Sequence, residues 1–178
     1  MKCIIALVGT SFSGKTTIGK ELAKKTNLIL LDIDKTREKI DSSKKWLGPE
    51  QEKRIMLKCY KKNHEKAKKL LGENKSVILA ATYSRDYYHE MLKKLAKKTK
   101  ASLIIFYLKI PDIKEAEVVK QRMQKRIKQG DKSNVNSMKA YLEQKNRYLL
   151  IQDVDLKEIN TTLFLSKNID QIFRALSN

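Results

Sequence analysis

Short apolar runs alternate with longer segments of helical periodicity along the chain. The runs predict buried strands at 3–8, 28–32, 76–81 and 102–108, and a weaker strand at 156–160. Helices are expected between the strands, at 17–25, 34–40, 50–72, 85–98, 112–129, 137–149 and 168–176. Gly72 is placed as a helix stop and Ser84 as a helix cap. This alternation predicts an α/β fold, a parallel sheet of about five strands covered by helices on both faces.

The first strand leads directly into the pattern G-x-x-x-x-G-K-[ST]. Between a strand and a helix this pattern predicts a phosphate-binding loop, because its glycines let backbone N–H groups face phosphate oxygens. Lys15 is expected to reach the β- and γ-phosphates of ATP, and Thr16 to ligate Mg²⁺. The predicted nucleotide-binding residues are Gly9, Thr10, Ser11, Phe12, Ser13, Gly14, Lys15, Thr16 and Thr17.

Polar residues follow the next two predicted strands, and parallel α/β sheets bind ligands at the carboxyl ends of their strands. We therefore expect the phosphate loop, the Asp32/Asp34 pair and residues 82–85 to surround one crevice. Asp34 and Arg37 lie one helical turn apart, and both are predicted to face that crevice. Asp34 would act as general base and Arg37 would clamp the acceptor. Asp32 would hold Mg²⁺ through water or bind an acceptor hydroxyl.

Each of these assignments has a simpler structural alternative. Asp34 would then be only a helix N-cap, and Asp32 only a polar residue at a strand end. Arg122 and Arg126 lie on one face of the helix expected at 112–129, which predicts a closing lid that carries two guanidinium groups. A solvated basic helix face is the alternative there. Thr82 stands where many such folds have an acid that orients Mg²⁺, and this chain has none at that place.

Composition leaves the partner open. The formal net charge is +19, mostly from lysines spread along the chain, which indicates either a solvated basic surface or a polyanionic substrate. The two cysteines, Cys3 and Cys59, form neither a disulfide framework nor a metal site. His64 and His89 are expected on exposed helix faces. No apolar run approaches the roughly 20 residues needed to cross a bilayer, and a cytoplasmic protein without a signal peptide is expected.

These motifs resemble those of the zeta-toxin-like and polynucleotide-kinase-like group of P-loop kinases, the "AAA domain" kinases, nearly end to end. The shared features are the phosphate loop, a D-x-x-R at Asp34 and Arg37, the 77–85 segment, Pro111, the two arginines of the predicted lid and a turn at 130–134. The resemblance implies the P-loop NTPase fold of the nucleotide-kinase type, one domain over 1–178 with a lid at about 112–136. It also implies that lid arginines bind ATP phosphates. Two positions depart from the group, Ala80 for an Asp in the third strand and Asn134 for an acid in the turn.

The sequence thus predicts a phosphotransferase that uses ATP and Mg²⁺ to phosphorylate a hydroxyl of a small metabolite, nucleoside or nucleotide. A first alternative is the 5′-hydroxyl of RNA or DNA, which the positive charge would help to bind. A second alternative, motivated by Ala80, is a nucleotide-dependent switch without chemistry. A small-molecule acceptor is favoured over nucleic acid, no membrane partner is expected, and the oligomeric state stays open.

Overall fold

Five parallel strands form one sheet in the computed structural model, which describes residues 2–41, 48–130 and 135–177. The strands are β1 (Cys3–Val8), β2 (Ile29–Asp32), β3 (Val77–Ala80), β4 (Ser102–Lys109) and β5 (Leu156–Asn160). Their spatial order is β2-β3-β1-β4-β5, and every neighbouring pair is parallel. The prediction of a five-stranded parallel sheet is therefore confirmed.

Seven helices accompany the sheet within the described residues. They are α1 (Lys15–Thr26), α2 (Ile33–Ile40), α3 (Pro49–Gly72), α4 (Asp86–Thr99), α5 (Asp112–Lys128), α6 (Met138–Asn146) and α7 (Leu165–Ser177). Alternate residues of β1 face opposite sides of the sheet, as strand geometry requires. Ile4, Ala6 and Val8 join the core under α3 and α4, whereas Ile5 and Leu7 join the core under α1 and α7. Helices thus cover both faces, as predicted.

A third, smaller core lies outside the two sheet faces. Phe12 of the phosphate loop packs there with Val119 and Met123 of α5 and with Tyr141 of α6. Burying these side chains holds α5 and α6 against the loop, because apolar burial stabilises by about 25 cal/mol per Å². The helix that carries the predicted lid arginines is therefore packed directly on the phosphate loop.

Two expectations about local structure are wrong. Ser84 does not cap α4, which begins at Asp86 after Arg85 and has no side-chain cap. His64 and His89 are buried rather than exposed, and both are hydrogen-bonded to Tyr83, through its hydroxyl and its carbonyl oxygen respectively. The predicted helix stop at Gly72 is confirmed, since α3 ends there.

Parts of two predicted loops lie outside the described residues. The break expected around 42–49 is described only at Gly48 and Pro49, where α3 begins. The turn expected at 130–134, which includes Asn134, is described only at Gly130. Among the helices of the described ranges, none is both long and apolar enough to span a bilayer.

Candidate active site

Two positions in the loop between β1 and α1 have backbone conformations that favour glycine. Gly9 has φ +146°, and a Cβ there would lie 2.6 Å from the carbonyl oxygen of Leu108. Gly14 has φ +91° and directly precedes α1. An L-residue avoids such φ values, so the glycines let the chain curl tightly into the N-terminus of α1. That terminus presents free N–H groups, the geometry that binds phosphate.

The Lys15 side chain folds back over this loop. Its ammonium donates hydrogen bonds to the carbonyl oxygens of Gly9 and Thr10, at 3.0 and 2.6 Å, and to Ser13 Oγ at 3.4 Å. Burial lowers the pKa of Lys15 to about 8, an effect that Asp34 opposes and Arg126 adds to. The ammonium is therefore incompletely solvated in this structure, as expected of a group that binds anions.

A cleft of about 690 Å³ opens beside the loop, at the carboxyl ends of β1, β2 and β3. Its wall includes much of the predicted site, namely Ser11, Phe12, Gly14, Lys15, Thr16, Thr17, Asp32, Asp34, Thr82, Arg122 and Arg126. Gly9, Thr10 and Ser13 do not line it; Ser13 is fully buried, and the Thr10 hydroxyl lies 3.3 Å from that of Tyr141. Arg85 also turns elsewhere and donates to the carbonyl of Arg147 at 3.1 Å.

The two aspartates at the junction of β2 and α2 have different contacts. Asp32, not Asp34, caps α2, and its Oδ1 accepts the N–H of Asp34 at 2.9 Å. The alternative of Asp34 as the N-cap is therefore wrong, and so is that of Asp32 as an exposed strand end, since it is 4% exposed. Asp34 lies in the first turn of α2, and its Oδ2 is 3.9 Å from Arg126 Nη2.

Arg37 does not line the cleft, contrary to the expectation that it shares the direction of Asp34. Its Nη2 instead donates to Glu52 Oε2 of α3 at 2.8 Å, and both side chains are largely buried. A guanidinium that is partly removed from water keeps a carboxylate partner, which draws Arg37 toward α3. The pair thus joins α2 to α3 beside the site.

The two arginines of α5 both line the cleft. Arg122 donates to the carbonyl of Phe12 at 2.7 Å and also to the hydroxyl and carbonyl oxygens of Thr161, after β5. Arg126 lies 5.3 Å from the centre of the Phe12 ring and reaches toward Asp34. Arg122 thus fastens the phosphate loop to the end of β5, and Arg126 spans the cleft.

Several residues of the site gave no signal in the sequence. The Tyr141 hydroxyl of α6 donates to Glu115 at 2.7 Å and bonds to Thr10, while Gln144 Oε1 accepts the N–H of Ser11 at 2.9 Å. These contacts join positions far apart in the chain, so no local pattern indicates them. Thr161 is missed for the same reason.

The residues present fit a divalent cation. Asp32 Oδ2 is buried and has no hydrogen-bond partner among the described residues, and Thr16 lines the same cleft. Asp32 also pairs in register with Ala80 of β3, so a carboxylate stands on the strand beside the departure noted at Ala80. Mg²⁺ is commonly held by one or two protein oxygens together with substrate phosphates, which such a set allows.

Comparison of the sequence with known proteins identifies the family of the chain. Residues 4–147 match the AAA domain family. The chain belongs to this family. Over 134 residues it is 29% identical to a gluconokinase from Arabidopsis thaliana, an alignment that covers 72% of this chain and 69% of the relative. Over 76 residues it is 42% identical to a shikimate kinase from Flavobacterium psychrophilum, 43% of each chain.

Solved structures share the fold of this AAA domain protein. A candidate kinase from Chloroflexus aurantiacus superposes with a TM-score of 0.77 at 19% identity, covering 97% of both chains. The predicted P-loop kinase fold and the predicted enzyme class, a phosphotransferase, are therefore confirmed. Neither curated relative named here carries the name of a zeta toxin or a polynucleotide kinase.

Proposed function

We propose that the protein transfers the γ-phosphoryl group of ATP to a hydroxyl of a small molecule, with Mg²⁺. The observation that carries this proposal is the placement of Lys15 and Asp34 on one cleft, where Arg126 Nη2 lies 3.9 Å from Asp34 Oδ2. A phosphate-binding group and a carboxylate that face the same space are what phosphoryl transfer to a hydroxyl requires.

Each group of cleft residues would have a separate role in phosphoryl transfer. Lys15 and the N–H groups at the start of α1 bind the phosphates, and Arg122 and Arg126 offset the charge on the transferred group. Asp34 accepts the proton of the attacking hydroxyl, which typically contributes about 10²- to 10⁴-fold in rate. Thr16 and Asp32 would hold Mg²⁺, which supplies further positive charge at the phosphates.

Arg37 acts on the acceptor side indirectly in this proposal. Its ion pair with Glu52 fixes α2 against α3 and so fixes the direction of Asp34. The D-x-x-R pattern of Asp34 and Arg37 supports the zeta-toxin-like and polynucleotide-kinase-like group as the subgroup. We also assign the chain as one kinase domain, with α5 as the main part of a lid at about 112–136.

A small acceptor agrees with the size of the site and with the relatives. The cleft of about 690 Å³ lies within the roughly 300–1,000 Å³ of typical small-molecule sites. By name, the two curated relatives are kinases of gluconate and shikimate, which are small molecules. The net charge of +19 keeps the 5′-hydroxyl of a polynucleotide as a second candidate acceptor.

Replacement of Asp34 tests the chemistry. Asp34→Asn removes the base but keeps the shape, so transfer to an acceptor found in a panel of sugars, shikimate-like acids, nucleosides and oligonucleotides should fall about 10²-fold or more. Nucleotide affinity, measured by calorimetry, should change little. The matched control is Asp170→Asn, which neutralises an exposed aspartate of α7 that does not line the cleft. Wild-type transfer by Asp34→Asn would exclude the proposed base.

A further inference from the structure

Thr82 lies where the donor and acceptor sides of the cleft meet. It follows β3, and β3 lies between β1, which leads into the phosphate loop, and β2, which leads into Asp32 and Asp34. Thr82 is half-buried and lines the cleft. A group transferred from the loop toward Asp34 must therefore pass close to the end of β3.

The hydrogen bonds around Tyr60 indicate which of the Tyr60 and Thr82 hydroxyls donates to the other. The Tyr60 hydroxyl accepts the N–H of Tyr83 at 2.9 Å and lies 3.2 Å from Thr82 Oγ1. Tyr60 is 1% exposed, so leaving its single O–H proton without an acceptor would be costly. In the described part of the chain, Thr82 Oγ1 is the acceptor that this proton has. Tyr60 therefore donates to Thr82, which leaves the Thr82 proton available to a further acceptor in the cleft that Thr82 lines.

Several contacts hold the residues behind this pair. Tyr83 adopts φ +45° although it is a buried aromatic residue, a conformation that persists only where the surroundings enforce it. Its hydroxyl bonds to His64 Nε2 at 2.8 Å, and its carbonyl oxygen lies 2.5 Å from His89 Nε2. Burial lowers the pKa of His64 to about 4, so this bond is made by a neutral ring at pH 7. The Tyr60 ring is also stacked on Tyr88, with the ring centres 3.8 Å apart.

The chemistry of a hydroxyl donor differs from that of an acid at the same place. An acid would attract the cation, whereas an O–H aimed into the cleft suits an oxygen that carries negative charge. The negative oxygens that cross this part of the cleft are those of the phosphoryl group in transfer. Donors already aimed at developing charge lower the barrier because they need no reorganisation.

We propose that the Thr82 hydroxyl donates a hydrogen bond to a non-bridging oxygen of the transferred phosphoryl group, and that Tyr60 is the positioning residue that orients it. This role rests on the proposed function and deepens it. In this proposal, the end of β3 carries a neutral hydrogen-bond donor at the place where the sequence shows no acid.

The test uses ADP with aluminium fluoride, which mimics the phosphoryl group in transfer and requires no acceptor. Thr82→Val keeps the shape but removes the donor, and should weaken this complex about tenfold or more. Affinity for ADP alone should stay within about twofold, because the proposed contact involves only the transferred group. Thr82→Ser should restore the complex. Thr99→Val is the matched control, since Thr99 is buried and its hydroxyl, among the described residues, donates only to carbonyl oxygens of α4.

A second pair of variants tests the orientation. Tyr60→Phe removes the donated proton, and should weaken the aluminium fluoride complex less than Thr82→Val and lower kcat without raising the KM of the acceptor. Tyr88→Phe, from the same aromatic cluster, should leave both unchanged. All variants are compared by circular dichroism to establish that they fold.

Three results would overturn the role of Thr82: no effect of Thr82→Val, an equal loss of ADP affinity, or no complex with aluminium fluoride in the wild type. Failure of the proposed function is seen separately, as wild-type transfer by Asp34→Asn or as the absence of any phosphorylated acceptor. The affinity of wild type and Thr82→Val for ADP with aluminium fluoride can be compared whichever of these two results is found, because the complex requires neither Asp34 nor an acceptor.

Discussion

At the scale of single residues, Lys15 shows how burial prepares a side chain for an anion. Its ammonium is held by carbonyl oxygens of its own loop, and these neutral dipoles replace only part of the water it has lost. The pKa of about 8 follows from that loss. Phosphate oxygens would supply the missing negative charge and raise the pKa again.

Nucleotide affinity should therefore depend on pH above about 8. Below that value Lys15 is protonated in the free protein, whereas above it binding must take up a proton, so affinity falls by up to about tenfold per pH unit. Calorimetry at pH 8.5 in two buffers of different ionisation enthalpy should detect the proton uptake. Lys15→Arg, which keeps its charge at this pH, should lose the uptake; an unchanged uptake in that variant would contradict the assignment to Lys15.

The neighbouring pair Asp34 and Arg37 marks the limit of local prediction. The cleft position of Asp34 follows from local rules, since it lies in the first helical turn at the carboxyl end of a strand. The direction of Arg37 depends on Glu52, which approaches from another helix. Sequence spacing along one helix cannot indicate a partner that tertiary packing supplies.

At the scale of elements, the sequence does not reveal that α6 contributes to the site. Helical periodicity predicts the helix itself, and its Ser137 cap is observed. Its function as a support of the phosphate loop arises from Tyr141 and Gln144, which contact Thr10 and Ser11. By contrast, β5 was predicted with the observed limits, because strand patterns are local.

The bond between Tyr141 and Glu115 should stabilise the protein measurably. Tyr141→Phe removes a buried hydroxyl that donates to a carboxylate at 2.7 Å, so the free energy of unfolding should fall by about 1.5–3 kcal/mol. Urea denaturation measures this loss. In a Glu115→Gln background the same substitution should cost clearly less, because the charged acceptor is already gone. Equal losses in both backgrounds would show that the two side chains are not coupled.

At the scale of the whole molecule, the charge of +19 is the property that the fold explains least. The arginines Arg122 and Arg126 are placed at the cleft, but most lysines are spread over helices throughout the chain. Such a surface attracts polyanions in general without selecting a sequence. The charge alone therefore does not identify the acceptor.

Salt dependence separates the two candidate acceptors. Transfer to a small neutral acceptor should have a KM that hardly changes between low and physiological salt, because no counterions are released from it. A 5′-hydroxyl oligonucleotide should lose affinity steeply over the same range, since its phosphates release counterions on binding. We expect the flat response with the best acceptor of the panel. A steep response with an oligonucleotide as the best acceptor would establish the second candidate.

The position of β1 in the sheet has a consequence for the order in which the protein is made. β1 pairs with β3 and β4, which begin only at Val77 and Ser102. During translation, the hydrogen bonds of β1 to both neighbours can therefore form only after those strands have been synthesised. The contacts of the phosphate loop are completed later still, because Arg122 bonds both to Phe12 of the loop and to Thr161, which follows β5. A nascent chain thus acquires a completed phosphate loop only once β5 has left the ribosome. Nucleotide bound at that loop would stabilise chains that have finished folding, and not those still being synthesised.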